Sequence, residues 1–426
     1  MPDYKRKHRS RFSARPKVDK KKSAKSKEKN EIKFDDGTAD LPRKKRGLTL
    51  VKGNKTEIRQ RWLTVLTVAL CVVLAAVICE ITMPAGIIET VSTAITSMGT
   101  GDYPIVFEST NTDNVVAKSG YYYVLTDGEI KAVTNGGKVL FTYGHGFENP
   151  VIKTSKTRAI VFNQGGQDAL IFTISGLEDN ITSEKEIINA AIGDDGTYAL
   201  VTNSDGYVAQ VSVYKKNGKS IYEWYSASDM INNVAVFKSG KKIAISTLKA
   251  NISGFDSKVM ILSFNSANAE FQKEYVGEII YNLSTEFSRG LSVATSNTFD
   301  FLGIRKFESI EYKNEYNLQM LRESSGGTLL LYNRENDKTD NIIVAISKKG
   351  EVSFEAKFSG IVTDIAMKNN HIYCISDTKA YILDSNGEIV RTADCGFGAI
   401  RLSVVSQDEI AVVTDNQINK VKFSHE

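Results

Sequence analysis

Histidine, cysteine, tryptophan and proline are all scarce in this chain: four His, four Cys, two Trp and six Pro among 426 residues. Each scarcity excludes something. Cys71 and Cys79 fall within a long apolar run, which leaves only Cys374 and Cys395 for the rest of the chain, too few for a fold built on disulfides. Cys374 belongs to a strand of buried type and Cys395 to the loop sequence DCGFG, so two unpaired thiols packed as small hydrophobes are expected. Beyond the apolar run the histidines are His145, His371 and His425. A zinc centre needs three or four convergent ligands, and no metal site is assigned. EF-hand spacing is absent too, and Asp194-Asp195-Gly196 and Ser204-Asp205-Gly206 read as turns.

Nucleophilic catalysis lacks its usual marks. No Gly-x-Ser-x-Gly elbow occurs, and a Ser-His-acid arrangement would have to recruit His145 or His371. Glycoside cleavage needs only two suitably spaced carboxylates, and no pair stands out. No catalytic residue and no cofactor are assigned.

Charge, by contrast, is abundant and unevenly placed. Residues 1–61 hold 22 Lys and Arg against 8 Asp and Glu, a balance of +14, whereas the remainder holds 32 against 42, a balance of −10. Between the two parts runs WLTVLTVALCVVLAAVIC, Trp62 to Cys79, without a charge or a polar stripe. Eighteen residues rise about 27 Å as a helix, close to a hydrocarbon core of roughly 30 Å, and Ile81 to Met83 extend the run past Glu80. A transmembrane helix over 62–83 is predicted. A cleaved signal peptide fits less well, because 61 residues precede the run and no small-x-small site closes it. Neither Leu70-Cys71 nor Ile78-Cys79 offers the small residue that bacterial lipidation requires before the cysteine. Basic residues favour the cytoplasmic side, so the expected topology is a single-pass span of the cytoplasmic membrane, N-terminus inside and everything after Met83 outside.

The tail, 1–61, has few large apolar residues and cannot offset its ordering entropy, so disorder is expected. Arg43-Lys44-Lys45-Arg46 lies near the bilayer and suits contact with anionic lipid. Residues 84–104 read as a stalk, with an amphipathic helix allowed over 87–96.

From Ile105 a unit recurs: short apolar strand, tight polar turn, strongly β-prone strand. The centres of its eight turns, from Lys118-Ser119-Gly120 to Ser406-Gln407-Asp408, are 37, 39, 44, 50, 37, 43 and 38 residues apart. Each turn precedes a β-branched or aromatic run such as YYYVL, RAIVF, YALVT or EIAVV. Most units add a second hairpin whose Asn-Gly, Gly-Gly or Lys-Gly supplies positive φ. Four antiparallel strands per unit of about 40 residues is the mark of a β-propeller blade. The eighth unit stops after its third strand, INKVKF, while Ile105-Val106-Phe107 stands unused before the first. Pairing the two would close the ring. The expected fold is an all-β propeller over 105–426, with eight blades preferred. Seven is the alternative, because the second hairpin of unit five, Tyr281 to Tyr312, is poorly marked.

The basic tail, the Trp-initiated apolar run and GHGFENPVIKTSKTRAIVFNQGG (Gly144 to Gly166) together resemble an uncharacterised family of single-pass, membrane-anchored propeller proteins of clostridia and related Gram-positive bacteria. The resemblance covers the apolar run and everything after it, and implies a propeller without an assigned activity. Trp-Asp strand endings of the WD class are absent. NGKSIYEWY (Asn217 to Tyr225) is similar to a repeat end of quinoprotein-like propellers, but a single such Trp cannot form their docking girdle.

Within the propeller reading, GHGFEN joins blade one to blade two and NQGGQD (Asn163 to Asp168) joins two strands of blade two, and both connections emerge on one face. His145, Phe147, Glu148, Asn149, Gln164 and Gln167 are the binding candidates there, with Trp224 and Tyr225 expected on the same face. The glycines around His145 and the following Pro150 read equally as a blade corner. The leading expectation is a non-enzymatic scaffold at the cell envelope, taking a protein, peptide or glycan on this face. No nucleic-acid partner is expected for the propeller. An envelope-polysaccharide hydrolase or lyase, or a transmembrane sensor, is the alternative.

Overall fold

A computed structural model describes residues 101–424 apart from 111–113, 119, 253, 267, 286–289, 304–307 and 325, together with 65–67, 70, 95–96 and 99. Among the described residues no helix is long and apolar enough to cross a membrane. The predicted span 62–83 lies outside them except for helical Val65–Thr67 and Leu70, and the tail and most of the stalk lie outside as well.

Eight four-stranded antiparallel sheets follow in chain order, each with its first strand innermost. Blades one to seven cover Val115–Gly144, Pro150–Thr182, Ile187–Ser226, Met230–Tyr275, Asn282–Lys313, Asn317–Ser359 and Val362–Asp394. Blade eight takes three strands from Arg401–Lys422 and its outermost from Ile105–Val106, paired Ile105 to Ile418 and Val106 to Gln417. The preferred count of eight and the predicted closure are both observed, and the fifth unit forms a full blade.

Second strands such as Tyr121–Leu125 and Tyr198–Thr202 are buried at every position. Each is covered on both faces by neighbouring blades, which is why these segments read as unbroken β-prone runs instead of alternating ones. Outer strands alternate, as Val139–Gly144 does between exposed and half-buried positions. The apolar core is therefore shared between blades. Eight clusters of buried residues fill the eight interfaces, and the closing one joins Ile105 and Phe107 to Val115, Tyr122 and Ala411.

The marker turns of the sequence are the connections between first and second strands, and with the third-to-fourth turns they form the lower face. At Asn369 and Asn370, φ is 51° and 62°, the left-handed pair that a two-residue hairpin turn requires. Along this face adjacent blades are tied together. The hydroxyls of Tyr121 and Tyr373 donate to the carbonyls of Lys156 and Gln407 in the next blade's turn, at 3.3 and 3.0 Å. The chain also joins the ring here: Gly101 N–H donates to Gly136 O at 2.9 Å, and Tyr103 caps the same turn through Asn135 O. A Cβ at Gly137 would stand 2.8 Å from the Tyr103 ring.

Arg158, fully buried in blade two, donates through Nε to Glu178 at 2.7 Å, and Lys216 of blade three reaches the other carboxylate oxygen at 2.7 Å. Burial opposes ionisation of Glu178, but Arg158 and Lys216 outweigh it and hold the carboxyl below its ordinary value. A lowered folded-state pKa gives stability that is complete above the ordinary value of 4.5 and is lost as pH falls through the folded one. Glu178→Gln should therefore cost about 1–3 kcal/mol at neutral pH, with the deficit shrinking in acid, as denaturant titrations at several pH values would measure. Ile105→Ala should cost about 2–4 kcal/mol, lowering the thermal midpoint without changing the circular-dichroism spectrum of the folded state.

Candidate binding face

The upper face carries the blade-to-blade crossovers and the connections between second and third strands. At the first crossover His145 is held on both ring nitrogens. Nδ1 accepts the Phe147 N–H at 3.0 Å, which leaves Nε2–H to donate to Thr126 O, also at 3.0 Å. The His145 and Phe147 rings lie 5.4 Å apart, and Phe147 packs on the core between blades one and two.

The expected gathering of loops is present. Asn149 N–H donates to Asn163 Oδ1 at 3.0 Å, and Gln164 N–H donates to Asn149 O at 2.9 Å. Gln164 Nε2 donates to Ile188 O and Gln167 Nε2 to Glu184 O, both at 3.0 Å. Four of the candidate side chains, His145, Asn149, Gln164 and Gln167, thus bond to backbone of their own or neighbouring connections, and stitch blades one, two and three together. Asn149, Gln164 and Gln167 are exposed nonetheless, as is Glu148. The stretch is a blade corner first.

Trp224 and Tyr225 stand in the outer strand of blade three, Ser220–Ser226, one residue apart and so on opposite sides of it. Trp224 packs on the core between blades three and four, a placement that differs from the connection expected for it. Tyr225 is exposed, donates to Glu223 at 2.9 Å and lies 5.0 Å from the Tyr207 ring of the adjacent upper connection. Tyr225 is therefore the aromatic candidate that reaches the upper surface.

Two features of this face escape residue-by-residue reading. First, its described connections hold twelve acidic residues against one lysine, Lys185, which itself pairs with Asp205 at 2.8 Å. The lower-face connections hold nine lysines against seven acids. Second, large apolar side chains are exposed on the upper side of blades three to five: Tyr207, Tyr225, Met230, Ile252, Phe255 and Tyr281. Ile252 tips the hairpin Lys242–Ser263, which extends blade four upward, and is 108% exposed; Met230 and Tyr281 are 65% and 60% exposed. Adding charges and apolar residues connection by connection, once the blades are assigned, would have found both.

Other chemistry is sparse. Among the described residues no three His, Cys, Asp or Glu side chains form a grouping able to hold a metal. His371 Nδ1 lies 3.1 Å from Asn369 O in a lower-face turn. Cys374 and Cys395 are free and buried, and burial pushes both thiols up, away from the reactive thiolate.

The sequence pattern of DUF5711, a family of unknown function, matches residues 102–423. This chain belongs to that family. No curated protein matches the sequence. The DUF5711 ring is similar to solved propellers at low identity. The C-terminal WD40 domain of Sif2 aligns at 10% identity and TM-score 0.50, covering 76% of this chain and 100% of that one. The Dos1 propeller aligns at 11% and 0.50, covering 76% and 94%. BamB from Moraxella catarrhalis aligns at 14% and 0.48, covering 76% and 99%. These likenesses concern the fold alone.

His145→Ala should lower stability by about 1–2 kcal/mol through loss of two hydrogen bonds, read as a fall in thermal midpoint.

Proposed function

We propose that this DUF5711 chain is a membrane-tethered scaffold that receives a protein partner on the upper face of blades three to five. The observation that carries the reading is the concentration of exposed apolar and aromatic side chains there, on a face that is otherwise acidic. Apolar groups clustered on a rigid scaffold and rimmed by charge mark protein docking sites, and aromatic anchors supply most of the energy of such contacts. The acidic surround favours a partner segment that flanks its apolar anchors with Lys or Arg, and speeds its encounter. A propeller fold similar to the WD40 domain of Sif2 is compatible with that role.

Tethering is supported by the apolar run 62–83 and the +14 tail before it. The chain joins the ring at the lower face, through Gly101 and Tyr103, on the side opposite the docking side chains. Outside the cytoplasmic membrane, the partners within reach are envelope proteins.

The test is crosslinking of the full-length chain in its native membrane, comparing wild type with Ile252→Glu/Phe255→Glu. Loss of two central apolar anchors should weaken a specific partner by about 30-fold or more and remove it from the crosslinked set. An unchanged set of crosslinked proteins in a correctly folded variant would overturn the reading, and capture of wall glycan in place of protein would do the same. In fractionation the chain should require detergent for release.

A further inference from the structure

The propeller axis holds a cavity of about 350 Å³, lined by the inner strands of all eight blades. That volume falls in the range of sites for small molecules. Its described lining contains six cationic side chains, Lys118, Lys153, Lys156, Lys238, Arg322 and Arg401, against three acidic ones, Asp194, Glu323 and Asp364. The balance of +3 contrasts with −10 for the chain after residue 61. The positive lining is therefore local and runs against the charge of the surrounding protein.

The three acids are also engaged by protein donors. Asp364, 1% exposed on the inner strand of blade seven, accepts Arg322 Nε from blade six at 2.6 Å and the Leu402 N–H from blade eight at 2.8 Å. Arg401 of blade eight approaches the same carboxylate at 3.5 Å. Glu323 accepts the hydroxyls of Ser284 and Ser292 at 2.6 and 3.1 Å, and Asp194 accepts the backbone N–H of Lys156 at 2.8 Å. Two guanidinium groups thus share one carboxylate, and the acids turn toward donors that the ring itself provides. Burial pushes the Asp364 carboxyl up against the pull of Arg322.

We propose that the central channel binds a small organic or inorganic polyanion through its carboxylate or phosphate groups, with Arg322 and Arg401 at one set of oxygens and Lys153 and Lys156 among the further cations. Guanidinium groups present planar pairs of donors to such oxygens, and an enclosed passage of one sign concentrates field lines and counter-ions. The site is separate from the upper docking face and stands independently of it.

The experiment is calorimetric titration of the detergent-solubilised full chain with citrate and, separately, with inorganic pyrophosphate, at constant ionic strength set with chloride. Saturable binding of at least one is expected, suppressed by added salt, and which one binds separates carboxylate from phosphate recognition. Lys153→Gln/Lys156→Gln alters two exposed lysines, leaves the Asp364 cluster intact, and should weaken binding by about tenfold or more. Arg322→Lys, which retains the charge but not the planar fork, should weaken it as well. Absence of saturable binding by either anion would overturn the proposal, as would equal binding by wild type and the lysine variant. Ile252→Glu/Phe255→Glu should bind the anion like wild type, so failure of the docking reading and failure of the channel reading remain distinguishable.

Discussion

Ring closure is the constraint on which the rest of this molecule depends. A single blade cannot cover its own apolar faces, and each buried cluster lies between two blades. Removing one contact surface anywhere would expose two. The two-residue strand Ile105–Val106, pairing with the last strand of the ring, therefore has an influence out of proportion to its length. It completes blade eight and seats Ile105 and Phe107 in the closing cluster.

Closure also organises polarity. Consecutive inner strands form the channel, so a residue's place along its strand decides whether it meets the lumen, the upper face or the lower face. Lower-face turns are tied blade to blade by tyrosine hydroxyls and by the Arg158, Glu178 and Lys216 cluster. The upper side is joined as well, by Asn189 donating to Asn232 O and Asn232 to Ile280 O at 3.0 and 2.6 Å, yet there the blade-four hairpin projects and apolar side chains face solvent. The lower face receives the chain through Gly101 and Tyr103, and the opposite face carries the exposed apolar side chains.

Much of the fold was legible in the sequence. The eight marker turns coincide with the eight first-to-second strand connections, because two-residue reversals require residues that tolerate positive φ and those residues are conspicuous. The corner around His145 was equally legible, both as a loop cluster and as a structural turn, since glycines on either side of a polar residue serve both purposes. Trp224 was harder. Its position near a strand end suggested a connection, but the strand continues to Ser226 and its pleat sends Trp224 toward the core and Tyr225 outward. The exposed apolar side chains of the upper face had no local signature: Met230, Ile252 and Tyr281 are 22 and 29 residues apart in sequence and share a face only through the stacking of blades.

While the structure decided for eight blades over seven, the sequence by itself determined the repeating four-stranded unit, the spare strand that closes the ring, and the split into a basic segment, an apolar run and an acidic propeller. Those properties reside in local propensity and composition, which act over a few residues. Tertiary structure decided which acids gather on one face, which cations line the axis, and which carboxylates are matched by buried arginines. Charges such as Arg322, Asp364 and Arg401, separated by 42 and 37 residues, acquire a common electrostatic meaning only when the ring brings three blades side by side.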